Sequence, residues 1–269
     1  MKLGIGTYAY GWSFEMNPDT GVPFMSELDL IKKAVDFDLR LLQIGDNLPL
    51  HSLDESRMKL FETKLKQENI RIEIGARGLT HSHLSRYIRL CNRFDAAILR
   101  FIIDDNDYKP AIGEVVDTIN AFVHELEAGN ISLVIENHDR LKARDYANII
   151  KQVNSRYVGI CLDTVNSMGA AEGLETISET LVPYTLNLHI KDFAISRLPH
   201  KQGFVIDGRI AGQGMLDVGK LLGKLRRTGK CNTAILEQWV PFENNICETV
   251  NKEQAWAAES VKYLKRLFN

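Results

Sequence analysis

The sequence has little of what marks a secreted, membrane-bound or redox-active protein. Its 269 residues include four cysteines, and no two of them form a Cys-x-x-Cys pair. Scattered cysteines are typical of reduced thiols, so we expect no disulfide framework and a cytoplasmic location. No apolar run approaches membrane-spanning length, and the start lacks the apolar core and cleavage site of a signal peptide. We therefore expect no membrane partner.

The sequence also lacks a strong charge of either sign. Its 33 Lys and Arg residues nearly balance 35 Asp and Glu residues, which leaves a net charge of −2. No global basic field exists to attract nucleic acid, so no nucleic-acid partner is expected. Gly4-Ile-Gly6 is too short for a dinucleotide-binding fingerprint. No Gly/Pro-rich linker or low-complexity segment interrupts the chain, which predicts a single domain over 1–269.

What the sequence does contain is a series of eight short apolar runs separated by amphipathic stretches, among them 112–127 and a last one at 252–268. A continuous apolar run is typical of a parallel strand covered by helices on both faces. The predicted strands are 3–7, 39–45, 70–75, 96–103, 131–136, 157–163, 185–191 and 233–238. This alternation predicts an α/β fold, the TIM (β/α)8 barrel. A doubly wound open sheet is the alternative, but it usually has fewer strands and a glycine-rich first turn.

The last four predicted strands each carry, at or near the C-terminal end, a residue that can bind a metal. These residues are Glu136, Asp163, His189 and Glu237. Taken singly, each is more often a loop cap, an ion-pair partner or a satisfied core histidine. Together they lie at the end of the barrel where active sites form, and buried charges need a partner. Three carboxylates and one imidazole suit one Mn²⁺, Mg²⁺ or Co²⁺ ion, with Zn²⁺ as a further option.

The segments that contain these four residues resemble the xylose isomerase-like TIM barrel superfamily. The segments are Ile135-Glu-Asn-His138, Cys161-Leu-Asp-Thr-Val-Asn166, Leu188-His-Ile-Lys-Asp192 and Leu236-Glu-Gln-Trp239. That superfamily includes ketose 3-epimerases, hydroxypyruvate isomerases, dehydratases of inosose and dehydroshikimate, and endonuclease IV. The resemblance spans essentially the whole chain. It implies that the four residues are metal ligands, and that Glu136 and Glu237 also form the catalytic acid/base pair on opposite faces of the substrate.

The chemistry implied by this resemblance is proton abstraction beside a carbonyl, with the resulting enediolate stabilised by the metal. The first hypothesis is an isomerase or epimerase acting on a keto-sugar or sugar acid. The alternative is a lyase, either a decarboxylase of a 3-keto sugar acid or a dehydratase. Asn166 stands where ketose 3-epimerases usually carry a histidine, which weakens the first hypothesis. An endonuclease IV-like activity and a non-catalytic binding barrel are disfavoured, since the spacing of the histidines does not match and the ligand set is intact.

Seven further residues are predicted to bind the substrate. They are Arg100, Lys191, Arg209, Asn166, His138, Trp12 and Trp239. Basic groups beside a metal suit an anionic ligand, so a sugar-acid substrate is expected. Arg209 is the first candidate, because its segment ends in a Gly212-x-Gly214 turn that resembles a substrate-binding loop. Alternatively, Arg100 pairs with Glu73, and Lys191 with Asp192 or Glu237. A homo-oligomer is compatible with the sequence but not indicated by it.

Overall fold

Eight parallel strands close into a barrel, as the sequence predicts. The computed structural model describes residues 1–15, 17, 19–21 and 23–268. Its strands are β1 (Lys2–Gly6), β2 (Leu41–Ile44), β3 (Arg71–Arg77), β4 (Ile98–Ile102), β5 (Ser132–Glu136), β6 (Val158–Asp163), β7 (Thr185–Ile190), β8 (Asp192–Arg197), β9 (Phe204–Arg209) and β10 (Thr233–Leu236). Around the barrel the order is β1-β10-β7-β6-β5-β4-β3-β2. The C-terminal ends of β5, β6, β7 and β10 are therefore consecutive neighbours.

Helices follow the strands and form the outer layer. They are α1 (Glu27–Asp36), α2 (Glu55–Gln67), α3 (His81–Phe94), α4 (Ile112–Asn120), α5 (Val123–Ala128), α6 (Ala143–Val153), α7 (Leu174–Leu181), α8 (Val218–Thr228) and α9 (Ile246–Phe268). Their apolar faces bury one continuous core against the barrel. None of the helices described is long and apolar enough to cross a membrane.

Two helix boundaries differ from the sequence prediction. The amphipathic stretch 112–127 is divided between α4 and α5 at Phe122, whose ring is buried and whose backbone leaves helical angles. The last helix begins at Ile246 rather than at Lys252. Asn245 explains the earlier start, because its side-chain oxygen accepts a hydrogen bond from the Glu248 backbone N–H at 2.9 Å. A cap of this kind satisfies a free backbone N–H of the first turn and stabilises a helix start even when that turn is polar.

The segment between β7 and α8 is the main departure from the predicted fold. No strand is predicted between 185–191 and 233–238, whereas β8 and β9 form an antiparallel hairpin there that places Arg209 in a strand. The Gly212–Gly214 turn is fixed at its base by Asp192, whose carboxylate accepts backbone N–H bonds from Gly212 at 2.7 Å and Gly214 at 3.0 Å. A Cβ on Gly214 would lie 2.2 Å from Asp192 Oδ1, so glycine is required there for close packing.

Candidate active site

The four predicted metal ligands meet at the C-terminal mouth of the barrel. Glu136 and Asp163 end β5 and β6, His189 is the penultimate residue of β7, and Glu237 directly follows β10. All four are buried, with at most 1% of each residue exposed. The Nδ1 atom of His189 lies 3.2 Å from a Glu237 oxygen, 3.6 Å from Glu136 and 3.9 Å from Asp163. One imidazole nitrogen thus faces three carboxylates, the arrangement that the sequence predicts.

The polar atoms of this cluster fit a divalent cation. Both ring nitrogens of His189 are buried and form no hydrogen bond within the described residues. Glu136 Oε2, Asp163 Oδ2 and Glu237 Oε2 are also buried, and each forms an ion pair with Arg100 or Lys191. Buried polar atoms without hydrogen bonds are rare and expensive unless another group satisfies them. The charge also fits, because four carboxylates here face three lysine and arginine side chains, which leaves one carboxylate charge in excess. The carboxylates are those of Asp46, Glu136, Asp163 and Glu237, and the cations are Arg77, Arg100 and Lys191.

Arg100 holds one side of the cluster. Its side chain is only 1% exposed and forms ion pairs with Asp46 at 2.8 Å and with Glu136 at 2.6 Å. The alternative pairing with Glu73 is therefore wrong; Glu73 instead accepts hydrogen bonds from Gln43 and Asn187 inside the barrel. Sequence reasoning missed this role of Asp46, although its position just beyond β2 was a signal. The contact of Arg100 with substrate stays a prediction.

Lys191 holds the other side. Its Nζ lies 2.9 Å from Asp163 Oδ2 and 2.9 Å from Glu237 Oε2, which confirms the Glu237 pairing and adds Asp163. Asn166 connects the two sides, because its amide nitrogen donates to Glu136 at 2.7 Å and its oxygen lies 3.4 Å from Lys191 Nζ. The structure therefore brings three of the seven predicted substrate contacts into direct contact with the metal-binding cluster.

Charge governs protonation in this cluster. Burial alone would raise the pKa of Glu136, but Arg100 and His189 outweigh it and hold that pKa at about 2. Burial is likewise outweighed at Glu237, where His189 and Lys191 hold the pKa well below its usual range. Both carboxylates are therefore ionised at neutral pH, the state in which a carboxylate binds a metal.

Cys161 lies directly beneath the cluster. Its sulfur is within 4.8 Å of ligand atoms of Glu136 and His189 and lies 3.1 Å from Asn187 Oδ1. Burial raises the pKa of this thiol to about 12. The thiol therefore stays protonated at neutral pH and donates to Asn187.

The other four predicted substrate contacts lie around the mouth without touching the cluster in the described residues. Arg209 donates a hydrogen bond to Gly208 O, and His138 Nδ1 lies 2.7 Å from an Asp139 carboxylate oxygen. Trp12 donates from its indole N–H to the Val240 carbonyl, and Trp239 is half-buried beside the hairpin. Their contact with substrate stays a prediction.

A buried carboxylate anchors the loop that carries Trp12. Glu253 in α9 accepts hydrogen bonds from the backbone N–H of Trp12 at 2.9 Å, the N–H of Ser13 at 3.0 Å and the Ser13 hydroxyl at 2.6 Å. Burial raises the pKa of Glu253 to about 7 despite these three donors. Sequence reasoning gave no signal for this residue, because a glutamate in an amphipathic helix looks like any surface position.

We expect Glu253 to make stability fall as pH rises. Its folded-state pKa lies above the unfolded value of 4.5, so its stabilising contribution is complete below pH 4.5 and is lost as pH rises through about 7. Replacing Glu253 by Gln should remove this loss, which is worth about 3 kcal/mol at most. Urea unfolding at pH 5 and pH 8 measures the effect. Glu259→Gln, an exposed position on the same helix, is the control; an equal pH slope in the wild type and Glu253→Gln would contradict the assignment.

The chain is similar to known proteins in both sequence and structure. It is 28% identical over 264 residues to a 3-oxo-isoapionate decarboxylase from Pectobacterium atrosepticum, covering 98% of this chain and 95% of that protein. Among solved structures, a xylose isomerase-like TIM barrel protein from Mycobacterium smegmatis, in complex with magnesium, superposes with a TM-score of 0.76 at 16% identity, covering 99% of this chain and 96% of that one. A D-psicose 3-epimerase, solved in the presence of D-fructose, superposes with a TM-score of 0.71 at 15% identity and coverages of 98% and 97%.

The two structural matches establish the fold, because their sequence identity is too low to carry more. The decarboxylase match extends over nearly the full length of both chains. A family model adds to this by matching residues 34–267, which include all four candidate metal ligands. The chain belongs to the xylose isomerase-like TIM barrel family.

Proposed function

We propose that the protein is a divalent-metal-dependent lyase that removes CO₂ from a 3-keto sugar acid. In this reaction the bond between the carboxylate carbon and its neighbour breaks and CO₂ leaves. The electron pair stays behind as an enolate, and a proton then adds to the carbon. Such chemistry needs a cation near the enolate oxygen, a receptor for the carboxylate and one group that handles the proton.

The observation that carries the proposal is that both carboxylate oxygens of Glu136 are held by other side chains. Asn166 donates to one oxygen of its carboxylate, and Arg100 forms an ion pair with the other. A carboxylate held on both oxygens is well suited to bind a metal and poorly suited to move a proton. Epimerisation needs two groups that move protons on opposite faces, whereas decarboxylation needs one. Glu237 also has a cation at one oxygen, Lys191 at 2.9 Å, but that lysine is 13% exposed and can move away, whereas Arg100 is buried. We therefore assign the proton to Glu237.

The remaining residues of the site have separable roles in this proposal. Glu136, Asp163, His189 and Glu237 would hold the divalent cation, which supplies positive charge to the enolate oxygen. Lys191 is 13% exposed, so its ammonium group can meet a substrate carboxylate at the mouth. Arg100 orients Glu136. The relative named as a 3-oxo-isoapionate decarboxylase supports the same reaction, because 98% of this chain aligns with it.

An isomerase or epimerase acting on a keto-sugar or sugar acid is the second candidate. It is favoured by the position of the two glutamates, on β5 and just beyond β10, which are separated around the barrel by β6 and β7. Carboxylates on two sides of a substrate suit proton removal on one face and return on the other. The likeness to a D-psicose 3-epimerase supports the fold that this reaction uses.

One assay separates the two reactions. The purified protein, supplied with Mn²⁺ or Mg²⁺ in deuterium oxide, is incubated with a panel of 3-keto sugar acids and of ketoses. We expect release of CO₂ and one deuterium per molecule of product, with His189→Ala inactive and depleted of metal by elemental analysis. Deuterium exchange and epimer formation without CO₂ would replace the lyase by the epimerase. Full activity in metal-free wild-type protein would contradict both.

A further inference from the structure

The ammonium group of Lys191 lies between two candidate metal ligands, Asp163 and Glu237. It forms ion pairs with Asp163 Oδ2 and Glu237 Oε2, each at 2.9 Å. The two carboxylates are at most 1% exposed, whereas the Lys191 side chain is 13% exposed. Lys191 therefore approaches the carboxylates from the side of the mouth and compensates their charge.

This position creates a competition. A divalent cation bound by Asp163 and Glu237 takes over the charge that Lys191 now compensates, and two cations on the same oxygens repel each other. The flexible four-carbon stem of a lysine allows its ammonium group to move away. Arg100 cannot respond in this way, because it is only 1% exposed and Asp46 keeps it paired. Once a metal is bound, the charge of Lys191 at the mouth is therefore no longer fully compensated by Asp163 and Glu237.

We propose that Lys191 couples the two binding steps: it is the counter-ion of Asp163 and Glu237 until a divalent cation binds, and the receptor of a ligand carboxylate afterwards. The choice of a carboxylate as the ligand rests on the proposed function, but the coupling does not depend on any reaction. Coupling between two ligands is reciprocal, so metal and carboxylate each tighten the binding of the other by the same factor.

Calorimetric titration tests the coupling without turnover. Gluconate serves as the carboxylate probe and sorbitol as its uncharged counterpart, each titrated with and without saturating Mg²⁺. For the wild type we expect gluconate to bind about tenfold or more tightly when Mg²⁺ is present, and sorbitol to show no such change. Lys191→Met should lose this dependence and, without gluconate, bind Mg²⁺ more tightly than the wild type. Lys220→Met, an exposed lysine on α8, should behave as the wild type.

Three results would contradict the coupling by Lys191. Gluconate affinity that does not depend on Mg²⁺ in the wild type, or coupling that persists in Lys191→Met, overturns the proposal. So does Mg²⁺ affinity that is unchanged in Lys191→Met. Lys191→Gln provides a second variant that keeps a polar side chain beside the carboxylates, and circular dichroism checks that both variants fold. Coupled binding together with a complete absence of CO₂ release would remove the proposed reaction and leave this inference intact.

Discussion

Replacing Glu237 by Gln is expected to lower kcat by about a thousandfold, the range in which general acid–base groups act. The change keeps the size of the side chain but removes the charge that faces His189 and Lys191. It also removes the proton-transfer group of the proposed reaction. Steady-state kinetics at saturating Mn²⁺ measure the loss, and elemental analysis of the same samples separates failed chemistry from lost metal.

The matched comparison for this change is Glu136→Gln, together with the double variant. Since the two glutamates serve one site, each single change should be nearly as damaging as the pair. Glu243→Gln, a neighbouring residue that pairs with Lys252 outside the site, should keep wild-type activity. If Glu237→Gln with metal bound retained a tenth of the activity, its assignment as the proton-transfer group would have to be dropped.

The barrel and the four candidate ligands could be predicted because they depend on local patterns. A buried parallel strand must be apolar along its length, so Glu136, Asp163 and His189 stand out as the polar residues near its end. Parallel strands bring those ends to one rim whatever the loops do. Glu237 follows the same rule, although β10 ends one residue before it. The structure placed all four where this reasoning expected them.

The partners of the cations could not be predicted in the same way, because pairing depends on how far apart strands lie around the barrel. Glu73 on β3 was a reasonable partner for Arg100 on the neighbouring β4. The structure instead pairs Arg100 with Asp46, just beyond β2, and with Glu136 on β5. The hairpin was missed for a different reason. Its residues Phe204, Val205 and Ile206 are exposed, and a strand that does not enter the core leaves no burial pattern in the sequence.

The buried pairing of Arg100 leads to the largest expected effect on stability. Arg100→Met preserves much of the apolar stem but leaves Asp46 and Glu136 as buried carboxylates without their common partner. Removing one member of a buried ion pair typically costs about 3–5 kcal/mol, because the remaining charge is uncompensated. We therefore expect a loss of that size in the free energy of unfolding, measured by urea denaturation at pH 7.

Arg93 provides the control, since it also pairs with two carboxylates but does so at the surface. It pairs with Glu55 and Glu62 on α2 with 28% of its side chain exposed. Surface ion pairs are screened by water and salt, so Arg93→Met should cost much less than Arg100→Met. Combining Asp46→Asn with Arg100→Met should recover part of the loss, because one of the two carboxylates that lose Arg100 is then uncharged. Equal losses at Arg93 and Arg100, or no recovery in the double variant, would mean that Arg100 acts through packing rather than charge.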